Sequence, residues 1–458
     1  MFLKSILNLT VLLSLSSLSL TSVADDDGTF TYVLNPDATA TLTGCVSTCP
    51  TELVIPELYD GSRVVAIGER AFNRLPIESV ELPTGLVKIG PFAFRGGYLT
   101  ELTLPDSIEE IGEYAFWQNP LSAVILPSGL KTIGVAVFAN NRLTSIELPD
   151  TIETISELAF YQNQLQSLVL PNSTKVIGAR AFEGNQIARI DLPNGLQRIE
   201  TYAFWYNAVE ELVLPSGLEL LGEGAFANNP ITKVDLGDLK EIGAYAFYSN
   251  RITELELSAN VTTIGDYAFS ENQIEELIIP VSVMELGRYA FWKNGLRTLE
   301  IKSESINLLK EAVFADNLLQ TLFLPASIVA LSQYALRTNA LERLHFLGAR
   351  PSFGFESLAK NQNLAVITYC SDMSGWPGAT IEGITPVADC DGDSVPDNID
   401  AFPNDPAASV DTDGDGMPDD WSEGKSEADS TSDPGLVLDD DDDNDSYVDG
   451  ADAFPLDP

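Results

Sequence analysis

From residue 111 the chain repeats itself. IGEYAFWQNPLSAVILPSGLKT (111–132) is followed by IGVAVFANNRLTSIELPDTIET (133–154) and then by ISELAFYQNQLQSLVLPNSTKV, a period of 22 residues. An anchor phenylalanine recurs at Phe72, Phe94, Phe116, Phe138, Phe160, Phe182, Phe204, Phe226, Phe247, Phe269, Phe291 and Phe314. Leu336 takes the slot in the next copy, and only the 226–247 and 291–314 steps deviate, by one residue each. Counted from Phe116, apolar residues fall at +5, +8, +10, +14 and +17: Leu121, Val124, Leu126, Leu130 and Ile133.

The +8 and +10 pair alternates like a strand with one buried face. Pro often follows at +11, from Pro83 to Pro215, and helps to end the strand because it cannot donate to a ladder. Asn holds +3 in eleven successive copies, from Asn119 to Asn339. A buried Asn can satisfy backbone groups of the neighbouring copy, so its repetition predicts a polar ladder. Gly at +18, as in Gly112 and Gly134, allows a tight turn. One such unit cannot bury its own apolar residues, whereas stacked units can, which is the logic of a solenoid. Some 13 rungs spaced about 4.8 Å apart would extend roughly 60–65 Å. The expectation is one parallel strand per rung, with the Ala-Phe segment forming the opposite wall as a short helix or an irregular turn.

The pattern LTSIELP…TIETI…LAFYQN resembles the leucine-rich repeats of BspA-like bacterial surface proteins, over roughly residues 53–350. The resemblance implies an α/β-type repeat solenoid with a parallel sheet, an extracellular setting, roles in adhesion and protein binding, and no shared catalytic site. Gly237, Ser258 and Lys302 depart from the pattern by replacing the Pro, and Leu336 by replacing the Phe.

The solenoid is assigned to 66–347, between an N-terminal cap at 25–65 and a C-terminal cap at 348–388. Residues 28–56 alternate like a hairpin. Residues 348–370 read as a degenerate last rung, closed by SGWPGATIEGITP. The four cysteines flank the repeats in two clusters, so pairing within clusters, Cys45–Cys49 and Cys370–Cys390, is favoured. A zinc site is the alternative; it is weakened by the distance between the clusters and by the lone histidine, His345, lying in neither.

Charge changes the picture at the C-terminus. The formal net charge is −43, and residues 389–458 hold 24 acids against Lys425 alone. Such a surface repels nucleic acid and anionic membranes, and it attracts divalent cations. The acids are patterned. Asp389, Asp391, Asp393, Asp397 and Asp400 are echoed by Asp411, Asp413, Asp415 and Asp419, and again by Asp441, Asp443, Asp445, Asp449 and Asp452. Oxygens at loop positions 1, 3, 5, 9 and 12 can surround a hard cation, and calcium suits them better than magnesium. A disordered, solvated acid run is the alternative. These loops, and the DAFPxDP at 400–406 and 452–458, resemble thrombospondin type 3 repeats, which implies calcium-stabilised, rod-like spacers. The second loop departs, with Ser422 at position 12 and no AFP, and 424–438 reads as a flexible insertion.

Residues 1–24 read as a signal peptide, with Lys4, an apolar run and Ser22-Val23-Ala24 as a cleavage site; a buried N-terminal helix is the alternative. No other segment reaches the roughly 20 apolar residues of a membrane span. No catalytic constellation is visible. A triad would need His345, which lies at +9 of a late rung, a solvent-facing slot. The chain thus reads as a secreted or cell-surface binding scaffold for a protein or a glycan, with a calcium-binding tail. A matrix or spacer protein without a specific ligand is the alternative. The varied +9 series favours recognition. A second candidate surface is the +1 row, where Trp117, Tyr161, Trp205, Tyr248 and Trp292 put a large aromatic on every second rung, spaced to engage a linear polysaccharide or to pack against each other.

Overall fold

The computed structural model describes residues 25–439 except 371, 372, 413, 415, 423 and 433, together with residue 442. The 22-residue units stack as a parallel β-solenoid of about 16 turns. This exceeds the 13 periodic rungs because the flanking segments coil in the same way. Glu52–Val54 pairs in parallel with Ser79–Glu81, and Val366–Tyr369 pairs in parallel with Arg343–Phe346 and Val387–Ala388.

Most rungs carry two strands rather than the one expected. A long ladder runs through the +8 position, as in Ser167–Val169 beside Arg189–Asp191. A short ladder of two-residue strands runs through +17, as in Thr154–Ile155, Val176–Ile177 and Arg198–Ile199. The inward residues are aliphatic and buried, among them Leu168, Ile177, Leu196 and Ile199.

The third wall holds the anchors, and it is a wall of turns. The only helix among the described residues is a single 3-10 turn at Glu427–Asp429. Rungs bond to each other here through alternate amides: Arg180, Phe182 and Gly184 donate to the carbonyls of Thr201, Ala203 and Trp205 at 2.9 Å. The geometry needs a left-handed residue on either side of the anchor, such as Tyr202 (φ 57°) and Tyr206 (φ 55°) around Phe204. A helix would send these amides back into its own turn and leave the next rung unpaired. The anchors themselves form one column of stacked rings, from Phe72 to Phe314. Neighbouring centroids lie 5.0 Å apart at the closest, between Phe204 and Phe226. The widest gap, 6.3 Å, is at the short step from Phe226 to Phe247.

The asparagine ladder is present and extends one rung further, to Asn361. Asn185 shows the pattern. Its Nδ2 donates to the carbonyls of Phe160 (2.9 Å) and Phe182 (3.0 Å), and its Oδ1 accepts from the amide of Leu165 at 3.0 Å. One side chain therefore satisfies backbone groups of two rungs. The +18 glycines serve close approach rather than a special turn: a Cβ on Gly112 would lie 2.4 Å from the Pro91 nitrogen.

Both ends are plugged. The hairpin of Phe30–Leu34 and Thr39–Cys45 adds to Ser62–Ile67, and Phe30 packs edge-on against Phe72. At the other end Trp376 is buried, stacks on Tyr369 and donates to the Gly348 carbonyl. Cys45–Cys49 and Cys370–Cys390 are bonded.

Asn185→Ala should lower stability by about 2–5 kcal/mol, because three buried backbone groups lose their partner at about 1–3 kcal/mol each, partly relaxed. Asn185→Asp should lose at least as much, since it supplies no donor and adds a buried charge. Urea melts check both. A cost for Asp well below that for Ala would show that the donated bonds are dispensable.

Candidate functional site

The first acidic loop folds onto the end of the long ladder. Val387–Ala388 is the last strand of the sheet that runs Thr321–Leu324, Arg343–Phe346, Val366–Tyr369. Past it the chain turns across the sheet face. The Cys370–Cys390 bond fastens it, Arg343 donates to Ser394 Oγ, and a Cβ on Gly392 would run into the Phe323 ring. His345, expected to face solvent, is buried here at 2% exposure. Its Nδ1 meets Thr368 Oγ1, and its Nε2 lies 3.0 Å from the Cys390 carbonyl. Burial holds the imidazole below its ordinary pKa, with the Cys390 carbonyl and Asp397 acting in opposition. With both nitrogens occupied by structural partners, it is not placed for acid–base chemistry.

Within the loop, carboxylates converge. Oxygens of Asp389, Asp391 and Asp393 lie within 4.8 Å of one another. Each carboxylate has one oxygen tied to a nearby amide. Gly392 N donates to Asp389 (2.8 Å), Asp393 N to Asp391 (3.1 Å), Val395 N to Asp393 (2.7 Å) and Phe402 N to Asp400 (2.8 Å). The second oxygens of Asp391, Asp393 and Asp400 are buried without a hydrogen-bond partner. Asp397 instead takes the Cys390 amide at 2.6 Å. Burial first, and then the neighbouring carboxylates, push Asp391 up to about 7 and Asp400 up to about 6; Asp389 and Asp393 also rise. A set of inward oxygens whose one side-chain donor is the Ser422 hydroxyl beside Asp393 fits a hard cation with oxygen ligands.

Asp405 provides the contrast. It is buried too, but it accepts from Ser430 Oγ, the amides of Thr431 and Ser432, and the Ala407 amide. Despite burial, those bonds hold its carboxyl down at about 2. It is a structural anchor that ties down part of 424–438, the segment read as a flexible insertion. In the second loop Asp411 accepts from Gly414 and Gly416, and Asp419 from Thr412. Asp413, Asp415, Asp441, Asp443, Asp445, Asp449 and Asp452 lie outside the described residues, as does the 1–24 segment.

The +1 aromatics are half-buried on the turn wall. Trp117 and Trp292 meet Tyr114 and Tyr289 edge-on, Tyr248 meets Tyr245 in the same way, and Trp205 tilts against Tyr202. The Arg95 guanidinium covers the Trp117 ring at 4.3 Å, and Trp292 Nε1 donates to Asp316 at 2.6 Å. Tyr161 is half-buried as well. The alternate rungs carry buried small residues, Ala139, Ala227, Ser270 and Ala315, with one exception. Glu183 fills that slot at 4% exposure, with Arg180 3.5 Å away as its ion pair. Burial raises its pKa, against the pull of Arg180.

The raised value means that Glu183 favours the fold below its unfolded pKa and that this contribution is lost as pH rises through the folded one. Glu183→Ala should therefore be more stable than wild type at pH 7, by roughly 1–3 kcal/mol, the cost of an imperfectly paired buried group. The gap should shrink towards pH 4. Chemical melts across that range check the sign; a gap that widens on acidification would reverse it.

The long-ladder face is the other exposed surface. Its outward +9 residues include Ile125, Val169, Val213 and Ile278, each more than half exposed, interspersed with Glu147, Asp191, Asp235 and Glu256. No helix among the described residues is long and apolar enough to cross a membrane.

Known proteins bear on the fold. A leucine-rich repeat protein from Bacteroides ovatus ATCC 8483 superposes with a TM-score of 0.57 at 17% identity, covering 80% of this chain and 98% of its own. A leucine rich cell surface protein from Faecalibacterium prausnitzii A2-165 matches at 21% identity and TM-score 0.46, over 77% and 95%. The pneumococcal vaccine antigen PcpA matches at 19% and 0.45, over the same shares. No curated protein matches the chain. The family model of the BspA type leucine rich repeat region matches in six copies across 65–143, 131–240 and 240–365. With the stacked anchors and the paired ladders beneath that match, the chain belongs to the BspA-type leucine-rich repeat family.

Proposed function

We propose that this protein is an exported, surface-associated binding scaffold that recognises another protein through its solenoid, with calcium held by the C-terminal acidic loop. One observation carries the binding reading. Along the long ladder every inward position is fixed by packing, while the outward position changes chemistry from rung to rung. A spacer needs no such variation. The cell-surface description of the Faecalibacterium protein agrees with this setting. A polysaccharide is the second reading, resting on Trp117, Tyr161, Trp205, Tyr248 and Trp292. Several of those rings already engage neighbouring tyrosines or cations, so the protein reading is preferred.

Calcium would be held by Asp389, Asp391, Asp393 and Asp400, whose inward oxygens are the support for it. When bound it supplies two positive charges against converging carboxylates. The loop's own work is to aim those oxygens, through one amide bond to each carboxylate.

A photo-crosslinker placed at Val169 or Val213 should trap a discrete extracellular protein, and one at Lys131 on the short-ladder wall should not. Equal trapping at all three positions, or none, removes the scaffold reading.

For calcium, the full chain should melt higher in calcium than in chelator, by about 3 kcal/mol at a hundredfold excess over the dissociation constant. Asp391→Asn with Asp400→Asn should invert the order. The double variant should be more stable than wild type in chelator, where it relieves buried like charges, and less stable in calcium. Parallel shifts of both proteins would sink the assignment.

A further inference from the structure

One irregular repeat on the sheet face coincides with a concavity. The step from Phe226 to Phe247 is one residue short, and Gly237 and Ser258 replace the strand-ending proline. The long ladder has no full strand in this rung, as it has none between Ala123–Ile125 and Ser167–Val169. After Lys233–Asp235 the next rung contributes only bridges from Glu254 to Lys233 and to Glu276, before Glu276–Ile279 resumes. An open concavity of about 1170 Å³ lies over this rung.

Its chemistry is one-sided. Asp235, Glu254, Glu256, Glu275 and Glu276 line it against Lys233 alone, with Ile278 exposed at the edge. None of those five carboxylates takes part in an ion pair of the described residues. Other acids do, including Glu110, Glu153, Glu200 and Glu271 on other walls and Glu300, paired with Lys302, at the far end of the same face. A concave surface of one sign with apolar walls focuses its field on an arriving cation.

The flanking rungs set the shape of the partner. The outward position reads Val169, Asp191, Val213, Asp235, then Glu256, Ile278, Glu300, Phe323. On either side of the short repeat, apolar residues therefore fall on every second rung, about 10 Å apart, with an acid between them. One turn of an α-helix rises about 5.4 Å and one heptad about 10.5 Å, close to one and two rungs. An extended strand repeats its side chains on one face at about 6.7 Å, which matches neither.

We propose that the sheet face from Val213 to Glu300 docks a basic amphipathic helix of a partner protein, laid along the solenoid axis with its cations over the concavity. This rests on the scaffold reading above and names the partner's chemistry.

The test is fluorescence anisotropy of the full chain with a labelled Lys/Leu peptide of about three heptads, basic on one flank of its apolar stripe. The wild type should bind it in a salt-sensitive way. Glu254→Gln, Glu256→Gln, Glu276→Gln should weaken binding by about tenfold or more, as for charges in a desolvated contact. Glu113→Gln, Glu157→Gln, Glu219→Gln removes the same charge from other walls and should change it less than about twofold. Ile278→Ser should weaken binding, and so should a peptide of the same charge interrupted by two prolines. No binding by wild type, equal losses in the two triple variants, or undiminished binding of the proline peptide overturns the proposal. Trapping of a partner at Val213 that offers no basic segment overturns it too, while leaving the scaffold reading standing.

Discussion

The asparagine at +3 is the contact on which the coil depends. A turn wall built from left-handed residues has no helix or full ladder to satisfy its carbonyls. In a buried wall each unpaired group costs about 1–3 kcal/mol. Asn185 closes two such carbonyls and one amide across the rung boundary, and its equivalents do the same from Asn119 to Asn361. The side chain also sets the spacing at which one anchor ring meets the next. A hydrogen-bond ladder and an aromatic column with the same period reinforce each other, because neither can slip without breaking the other.

That internal regularity leaves the outside unconstrained. Outward residues on the long ladder touch no core, so Val169 and Asp191 can sit on adjacent rungs without cost to packing. The interior also propagates its irregularities outward. At the short step from Phe226 to Phe247 the ring column widens to 6.3 Å, and the same rung meets its neighbours on the sheet only through bridges at Glu254. A one-residue change in period is thus felt on more than one wall, because the walls of a rung are bonded to the rungs on either side.

Local period made much of this legible. The anchors, the asparagines and the buried strand face repeat, so the sequence alone identifies them. The short ladder was harder to read: two residues such as Val176–Ile177 are too few to alternate. The turn wall was harder still, since residues as different as Arg180, Tyr202 and Ala136 adopt the same left-handed conformation. His345 was misplaced for a different reason. Its slot is outward in every copy, but a segment 45 residues later covers it. Asp405 and Asp400 carry the same side chain five residues apart and differ only in what folds over them. One meets the Ser430–Ser432 backbone, and the other keeps a buried oxygen without a partner. Spacing shows where carboxylates are, and only tertiary structure shows which of them lack a donor.

The acidic loop also sets a limit on the sheet face. It crosses the last rungs over Phe323 and His345, so the exposed face ends there. Carboxylates brought onto a face already rich in acids repel it, and the converging set of Asp389, Asp391 and Asp393 repels itself. What opposes this is covalent and local: the Cys370–Cys390 bond, the Val387–Ala388 pairing and the Arg343 contact. These hold the backbone, and they leave the inward oxygens unneutralised. A cation bound in the loop would therefore act on the solenoid as well as on the tail. The residues it would bind are the ones that follow directly from the last strand of the sheet.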